Sequence, residues 1–258
     1  MPELPDLEIF AANLENAFKN KTLEKLDVVV SKKLNVTEKE LKSALEGHKL
    51  TKVLRNGKTL DLHFGGGNVL GLHLMLHGRL MPIVDEPVKF QILRFEFTGG
   101  DAFALTDFQK QATPTLNPPD NEVPDALSAE FDITYFKSIL AKKNTSIKKV
   151  LMDQKLIRGI GNAYADEILW KARISPMSIA NQIPEAKQKE LHQAIDEILR
   201  KEIINLTKAL GDAYDTESRD FLVIHGAGIK ESPTGHPIKV ETIDGRKSYY
   251  TDEQELYN

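Results

Sequence analysis

The sequence changes its pattern near residue 120, and this change constrains the fold more than any other feature. Between Leu26 and Asp107, short apolar runs alternate with turns such as FGGGN and TGGD. Several short strands in a sandwich or barrel produce this pattern. The segment 113–125, TPTLNPPDNEVPD, contains four prolines and little periodicity, and longer helix-like stretches follow it. We therefore expect a hinge at this segment, with a β-rich domain before it and a helical domain after it.

Helical periodicity predicts where the helices lie. Apolar residues from Leu7 to Phe18 repeat at the spacing of one helix face, and Pro5 suits the first turn. The runs 238–243 and 246–250 flank Asp244-Gly245, a strong hairpin signal near the C-terminus. The other predicted helices are 39–46, 133–142, 146–155, 162–172 and 185–209.

Charge and cysteine content narrow the function classes. A net charge of −4 argues mildly against a protein whose whole surface binds nucleic acid. The segment 137–149, however, holds five lysines and no acid, which is compatible with a phosphate-binding stripe or with a solvated helix face. The absence of cysteine excludes disulfides and thiolate metal ligands. We find no apolar run near the ~18 residues of a membrane span and no secretory signal pattern.

The N-terminus carries the first residues with candidate chemistry. Removal of Met1 would leave Pro2 with a free secondary amine, of a kind whose pKa is about 7.7–8.0. Such an amine can attack C1′ of a sugar to give an iminium, and Glu3 could protonate the ring oxygen. With Met1 attached, the Pro2 nitrogen is an unreactive amide. A proline and an acid that merely precede a helix are the alternative.

Three later features carry further candidates. Lys58 lies in an NGK turn before a predicted strand, where it either assists chemistry or only aids solubility. In 146–176, a helix ends near Lys155, a glycine-containing loop LIRGIG follows, and Asn162 opens the next helix as a favoured N-cap residue. Exposed amides at such a helix start suit phosphate. Arg246 adjoins the predicted hairpin turn.

Five segments of the chain together resemble the formamidopyrimidine-DNA glycosylase/endonuclease VIII family. They are MPELP, NGK, SIKKVLMDQKLIRGIGNAYADEILWKARISP and the C-terminal GHPI and RKSYYTDEQ. The resemblance covers nearly the whole chain. It implies an α+β fold: an N-terminal β-sandwich with a leading helix, a helical helix-two-turn-helix domain, and a β-hairpin finger. The implied domains are 1–118, 119–222 and 223–258, the first of them catalytic.

The resemblance also implies an activity and its residues. A bifunctional DNA glycosylase/AP lyase of base excision repair would act through a Schiff base on Pro2, with Glu3 and Lys58 assisting, and cut the strand by β,δ-elimination. Lys155, Asn162 and Arg246 would hold DNA phosphates. The implied partner is damaged DNA, with no cofactor, no membrane and a monomeric state, in the cytoplasm of a bacterial-type cell and associated with the nucleoid.

The finger departs from the family, whose members usually bind zinc there through four cysteines. The corresponding positions hold Glu231, Thr234, Thr251 and Gln254, which cannot form a zinc site of the usual nitrogen and sulfur type. We expect a zincless finger without metal, or a hairpin that has lost its function. The side chains expected to hold it by packing are Ile238, Val240, Ile243, Tyr249 and Tyr250.

The residues around the base also depart from the family. Leu76 falls where the family intercalates a side chain, and Gln109 and Gln111 replace an arginine and a phenylalanine that fill the same gap. Glutamine stacks poorly, so we expect a preference for destabilised or single-stranded sites, where extrusion costs least. The family's oxidised-purine enzymes carry a longer, glycine-containing loop over the flipped base, and the corresponding segment 211–221 is short and acidic. This difference favours oxidised pyrimidines and abasic sites as substrates, as in endonuclease VIII. Oxidised purines (8-oxoguanine, formamidopyrimidine) and a non-catalytic lesion-binding paralogue remain the alternatives.

Overall fold

The computed structural model describes residues 1–84 and 88–258. They form two compact units, Met1–Asp120 with Leu206–Ser218, and Asn121–Asn205 with Arg219–Asn258. The predicted division into 1–118, 119–222 and 223–258 differs from this one in two ways. Residues 206–218 belong to the first unit, and the C-terminal hairpin belongs to the same unit as the helices that precede it.

The first unit is a β-sandwich preceded by a helix, which confirms the predicted N-terminal architecture. Its strands form two antiparallel sheets of four. The elements are α1 (Leu4–Phe18), β1 (Leu23–Val28), α2 (Glu38–Leu45), β2 (Leu50–Asn56), β3 (Thr59–Phe64), β4 (Val69–His73), β5 (Arg79–Ile83), β6 (Gln91–Phe97), β7 (Ala102–Thr106) and β8 (Thr113–Leu116). The strand orders are β1-β6-β7-β5 and β2-β3-β4-β8.

One apolar core explains why this unit folds as it does. Helix α1 buries Phe10, Leu14 and Phe18 in the same cluster as the strand leucines. The rings of Phe95 and Phe103, on neighbouring strands, stack with their centroids 4.5 Å apart. Each such side chain contributes roughly 1.5–3 kcal/mol on full burial, so the core outweighs any single surface contact.

The second unit contains the helices predicted after residue 120 and the C-terminal hairpin. None of the helices among the residues described is long and apolar enough to cross a membrane. The elements are α3 (Ile133–Leu140), α4 (Ile147–Met152), α5 (Asn162–Lys171), α6 (Glu185–Leu210), β9 (Lys239–Ile243) and β10 (Arg246–Tyr250). The last five residues of α6, 206–210, belong to the first unit.

Helix α4 ends three residues before the predicted Lys155. The Asp153 side chain accepts the backbone N–H of Lys155 at 3.0 Å, and this local bond competes with a further helical turn. The hairpin turn agrees with its sequence, because Asp244 (φ 49°) and Gly245 (φ 77°) both adopt the left-handed conformation that a tight two-residue turn requires.

A buried carboxylate joins three segments of the second unit. Asp166, on α5, is fully buried, and its Oδ1 lies 2.7 Å from Nζ of Lys148 on α4. Its Oδ2 accepts bonds from His225 Nδ1 at 2.7 Å and from the Tyr249 N–H of β10 at 3.1 Å. Lys148 therefore lies inside the unit, so it belongs neither to an exposed phosphate-binding stripe nor to a solvated helix face.

Substitution of Lys148 tests this ion pair. We expect Lys148→Met to lower the unfolding free energy by about 3–5 kcal/mol, because it leaves the Asp166 carboxylate buried without its cation. Urea denaturation followed by the fluorescence of Trp170, the chain's single tryptophan, measures this in the unit concerned. The control is Lys149→Met, an exposed neighbour with a 3.7 Å ion pair to Asp244. Equal effects of the two variants would contradict the assignment.

Candidate active site and nucleic-acid interface

The start of α1 holds two of the predicted catalytic residues. Pro2 is buried, and Glu3 is the N-cap of α1 with only 3% of its surface exposed. The backbone N–H of Glu3 donates to Oδ2 of Asp6 at 2.9 Å, and Asp6 is itself fully buried. The positive end of the helix dipole favours carboxylates at this place. The structure therefore holds an acid directly after Pro2.

The N-terminal amine belongs to Met1 in the chain described here. Its nitrogen lies 3.5 Å from Oε2 of Glu217, and the Pro2 nitrogen is an amide. Nucleophilic chemistry on Pro2 therefore requires removal of Met1, which transfers the free amine to Pro2.

Lys58 lies in the two-residue turn between β2 and β3, beside Gly57, whose φ of 62° requires a residue without a side chain. Arg55 connects this turn with α1. Its Nε donates to Oε2 of Glu8 at 2.6 Å, and its Nη1 donates to the Gly57 carbonyl at 3.2 Å. The helix that begins with Glu3 and the turn that carries Lys58 are thus held together within the first unit.

His73 lies close enough to Lys58 for the charge of the lysine to act on its ring. Strand pairing places His73 of β4 opposite Thr59, the residue after Lys58. Burial of the ring and the positive charge of Lys58 both lower the pKa of His73. Its Nδ1 accepts the N–H of Met75 at 3.1 Å, so a neutral ring carries its proton on Nε2.

Two loops of the first unit present the predicted base-contacting residues. Gly78 closes the first: a Cβ there would lie 2.1 Å from the Leu74 carbonyl oxygen, and this tight turn leaves Leu76 exposed. In the second, the buried Asp107 carboxylate accepts the N–H groups of Gln109 at 2.8 Å and Gln111 at 2.7 Å. The first loop is therefore held by the backbone bond from Gly78 to Leu74, and the second by the Asp107 side chain.

A cavity of about 570 Å³ lies beside these loops. The N-terminal residue and the exposed side chains of both loops line it, so the place where the free amine begins is open to a ligand. The lining side chains used below are Met1, Leu76, His77, Phe90, Phe108 and Glu217.

In the second unit, Asn162 is the first residue of α5, and Gly161 is the N-cap. This corrects the N-cap role predicted for Asn162. Its Nδ2 instead donates to the carbonyl of Lys247 at 3.1 Å. Gln154, which the sequence analysis missed, holds the preceding loop: it accepts the Gly159 N–H at 2.9 Å and donates to the Ile160 carbonyl at 2.8 Å.

Lys155 is exposed after α4, and Arg246 is exposed at the start of β10. Arg246 lines a cleft of about 260 Å³ together with Lys148, Lys149 and Asp244. Of the five lysines in 137–149, Lys137 pairs with Glu185 at 2.8 Å, besides the pairs of Lys148 and Lys149 given above. Basic groups for phosphate are present, but they do not form one continuous stripe.

The four positions that the resemblance assigns to zinc ligands do not fit that ion. Gln254 and Thr251 are buried and bonded to each other, with the Thr251 N–H donating to Gln254 Oε1 at 2.9 Å. Gln254 Nε2 donates to the Ile174 carbonyl at 2.8 Å. Thiolate and imidazole are absent from the set, and the side-chain oxygens of Thr234, Thr251 and Gln254 already take part in hydrogen bonds within the protein. In residues 1–84 and 88–258, no group of three or more metal-binding side chains occurs.

A carboxylate, Glu253, occupies the centre of this region instead. Its Oε1 accepts the Thr234 hydroxyl at 2.6 Å and lies 3.0 Å from Nη1 of Arg173. Its Oε2 accepts bonds of 3.1–3.2 Å from Trp170, Ser232 and Thr251. Burial raises its pKa, but the hydrogen bonds from Thr234, Trp170, Thr251 and Ser232 outweigh burial and lower the pKa of Glu253 to about 2. The sequence analysis missed Glu253, because an acid in a polar tail resembles a solvated one.

The apolar packing predicted for the hairpin is only partly right. Tyr249 and Tyr250 are buried, whereas Ile238 and Ile243 are half-buried. Val240 is 52% exposed, so its predicted packing role is wrong. The last three residues of β10 are buried, whereas β9 is largely exposed.

Comparison with known proteins identifies the family. The model of the formamidopyrimidine-DNA glycosylase N-terminal domain matches residues 1–113, and that of the formamidopyrimidine-DNA glycosylase H2TH domain matches residues 123–210. A formamidopyrimidine-DNA glycosylase of Lactobacillus delbrueckii is 32% identical over 78% of this chain and 77% of its own length. The chain belongs to the formamidopyrimidine-DNA glycosylase family.

Other relatives extend the match over the full length. The formamidopyrimidine-DNA glycosylase of Bacillus licheniformis is 29% identical over 97% of this chain and 98% of its own. The crystal structure of the Lactococcus lactis protein with abasic-site DNA is 26% identical, with a TM-score of 0.86 over 98% of this chain and 100% of that chain. Membership confirms the predicted enzyme class, a DNA glycosylase/AP lyase of base excision repair.

The effect of the Lys58 charge on His73 makes a direct prediction for this family member. We expect Lys58→Ala to raise the pKa of His73, because the variant removes a positive charge that opposes protonation of the ring. Burial persists, so the pKa should stay below 6.5. Histidine NMR signals followed through a pH titration measure it. Lys52→Ala, an exposed lysine on β2, is the control and should leave His73 unchanged; an unchanged value in both variants would contradict this effect.

The Glu253 cluster makes a second prediction. We expect Glu253→Gln to lower the unfolding free energy by about 2 kcal/mol, because charge-assisted hydrogen bonds become neutral and Arg173 loses its partner. The fluorescence of Trp170 measures this loss of stability, because its indole N–H donates to Glu253. The cluster stabilises the fold above pH 4.5 and loses that contribution as pH falls toward about 2, so the variant should depend less on pH in this range.

The matched control is Glu231→Gln, an exposed acid at one of the four positions aligned with the family's zinc ligands. It should retain the parent's stability and pH profile. A metal chelator should leave the unfolding free energy of the parent protein and of both variants unchanged. A loss of stability on chelation, or equal losses in the two variants, would show that Glu253 does not hold the finger.

Proposed function

We propose that the chain, once Met1 is removed, excises oxidised bases with Pro2 as its nucleophile. The observation that supports this most is the start of α1, where the buried carboxylate of Glu3 directly follows Pro2. The Arg55 contacts add the turn of Lys58 to the same region. A non-catalytic DNA-binding protein needs no such arrangement around a free amine.

The chemistry follows from these groups. The Pro2 nitrogen attacks C1′ of the damaged nucleotide, and the bond from C1′ to the base breaks. The base leaves with the electron pair of that bond and takes up the proton that the amine releases. Glu3 donates a proton to the sugar ring oxygen, and the ring opens to an iminium. Lys58 assists proton transfer. The iminium acidifies the adjacent carbon, and β,δ-elimination then breaks the two phosphate ester bonds.

The second unit supplies the phosphate contacts in this proposal. Lys155 and Arg246 are exposed cations, and Asn162 lies at the start of α5, where backbone N–H groups suit an anion. In the first unit, Leu76, Gln109 and Gln111 face the base and its partner. We expect DNA affinity to fall as salt is added, with a slope set by the number of phosphates that these cations neutralise.

The lesion class rests on two observations that point in different directions. Residues 211–218 are held to the first unit, since Asn13 Nδ2 donates to the carbonyls of Gly211 at 2.8 Å and Ala213 at 2.7 Å. A short, anchored segment favours oxidised pyrimidines and abasic sites. The relatives' names favour ring-opened purines, and the Lactococcus lactis protein has been crystallised with Fapy-dG DNA and with oxidised-pyrimidine DNA. Matched duplexes with 8-oxoguanine, a formamidopyrimidine and thymine glycol rank these substrates.

The setting is also proposed. The curated relatives are bacterial, which supports a place at the nucleoid in a bacterial cytoplasm. We propose that the protein is a monomer. We also propose that its finger needs no metal, because the contacts of Glu253 and Asp166 hold this part of the second unit.

Borohydride trapping tests the nucleophile. Protein shown by mass spectrometry to lack Met1 should form a covalent adduct with an abasic duplex, and Pro2→Gly should abolish it. Glu3→Gln and Lys58→Ala should slow strand cleavage by about 10²-fold or more, the usual contribution of a positioned acid or base.

Lys52→Ala serves as the control for Lys58 and should cleave at the parent rate. Absence of an adduct with the processed parent protein would refute the proposal. Tight, salt-dependent binding that Pro2→Gly leaves unchanged, without cleavage by the parent, would instead indicate a lesion-binding paralogue.

A further inference from the structure

Large apolar side chains are exposed beside the N-terminus of the first unit. Leu76, Phe90 and Phe108 each leave more than half of their surface in water, and all three line the cavity that contains Met1. Isolated exposed apolar residues are ordinary, whereas a cluster on a cavity wall marks a surface that is covered when a ligand binds.

Phe108 has the most defined position among them. Its ring centroid lies 4.6 Å from that of His77, at an interplanar angle of 44°. Phe90 meets it edge-on, with centroids 6.5 Å apart. The aromatic ring is therefore supported by neighbours while much of its surface remains available for contact.

The backbone that carries Phe108 is fixed independently of its side chain. The buried Asp107 carboxylate accepts three N–H groups, from Gln109, Gln111 and Ala112. The Asp107 N–H donates to the Phe90 carbonyl at 2.9 Å. Truncation of the Phe108 ring consequently leaves the loop's own hydrogen bonds in place.

The glutamines that the sequence comparison assigned to the orphaned base offer no comparable surface. Gln111 Nε2 donates to the Gln109 carbonyl at 3.2 Å, so part of its hydrogen-bonding capacity is used within the loop. An amide also lacks the flat apolar face on which a base stacks. Phe108 supplies such a face on the same loop, and stacking on an aromatic ring tolerates any base.

We propose that Phe108, supported by His77, stacks on the base that loses its partner when the damaged nucleotide is extruded, while Leu76 fills the space beside it. The inference rests on the proposed function, because it requires extrusion from a duplex. It replaces the expectation of weak gap-filling: Phe108 favours the extruded state in duplex DNA and contributes nothing on a single strand, which has no orphaned base.

Binding to a duplex with a tetrahydrofuran abasic analogue opposite 2-aminopurine tests this stacking. The analogue has no base to excise and cannot form the iminium, so binding is measured apart from the chemistry of Pro2. We expect Phe108→Ala to bind this duplex roughly tenfold more weakly than the parent, the scale of one lost base-aromatic stack. The 2-aminopurine fluorescence change seen with the parent should also disappear.

Three comparisons complete the experiment. Phe108→Trp should retain both affinity and the fluorescence change, and Val29→Ala, which truncates an exposed side chain elsewhere in the unit, should match the parent. Single-stranded tetrahydrofuran DNA should bind parent and Phe108→Ala equally. Unchanged thermal unfolding confirms that each variant is folded.

The opposite results are equally specific. Duplex affinity and fluorescence unaffected by Phe108→Ala would overturn the inference, and so would an equal loss on single and double strands. A parent protein that forms the borohydride adduct while Phe108→Ala behaves like the parent would overturn this inference and leave the proposed function standing. A processed parent that binds no abasic DNA would overturn both.

Discussion

The second unit depends on the buried carboxylate of Asp166. It is bonded at once to Lys148 on α4, to His225 before the hairpin and to the backbone of Tyr249 on β10. A carboxylate without partners is costly to bury, so the three contacts form together or the site is unstable. The next residue, Glu167, accepts the N–H groups of Val223, Ile224 and His225. Two adjacent acids on one helix thereby position the segment that leads to the hairpin.

Glu253 extends the same principle to the far end of the hairpin. A zinc ion joins distant segments through four ligands, and the Glu253 carboxylate joins its segments through hydrogen bonds and an ion pair with Arg173. A zinc site and a carboxylate cluster are destabilised by different conditions. Chelators and oxidation of the ligands destabilise a zinc site, whereas acid destabilises a carboxylate cluster. Loss of cysteines therefore need not mean loss of the finger, since a single acid can reconnect its parts.

Features with a periodic or local physical cause could be predicted from the sequence. Alternating apolar runs gave the strands, and Asp244-Gly245 gave the hairpin turn, because each depends on neighbouring residues. The burial of Lys148 could not be predicted, since its partners lie far away in the sequence and a lysine among lysines resembles a surface residue. The role of Glu253 and the exposure of Val240 also could not be predicted, because both depend on residues far away in the sequence. The roles of Pro2, Glu3 and Lys58 remain predictions, which their placement supports.

Glu3 and the residues proposed to contact the base are carried by different kinds of backbone in the first unit. Glu3 begins a helix, so one turn of regular structure and the Asp6 contact set its position. The residues proposed to contact the base lie on loops, and the Asp107 carboxylate fixes the backbone of one of these loops. A shift of one residue along such a loop exchanges a glutamine for Phe108. Aligned positions therefore transfer the helix-borne chemistry between relatives more safely than they transfer the identity of the residue that meets the base.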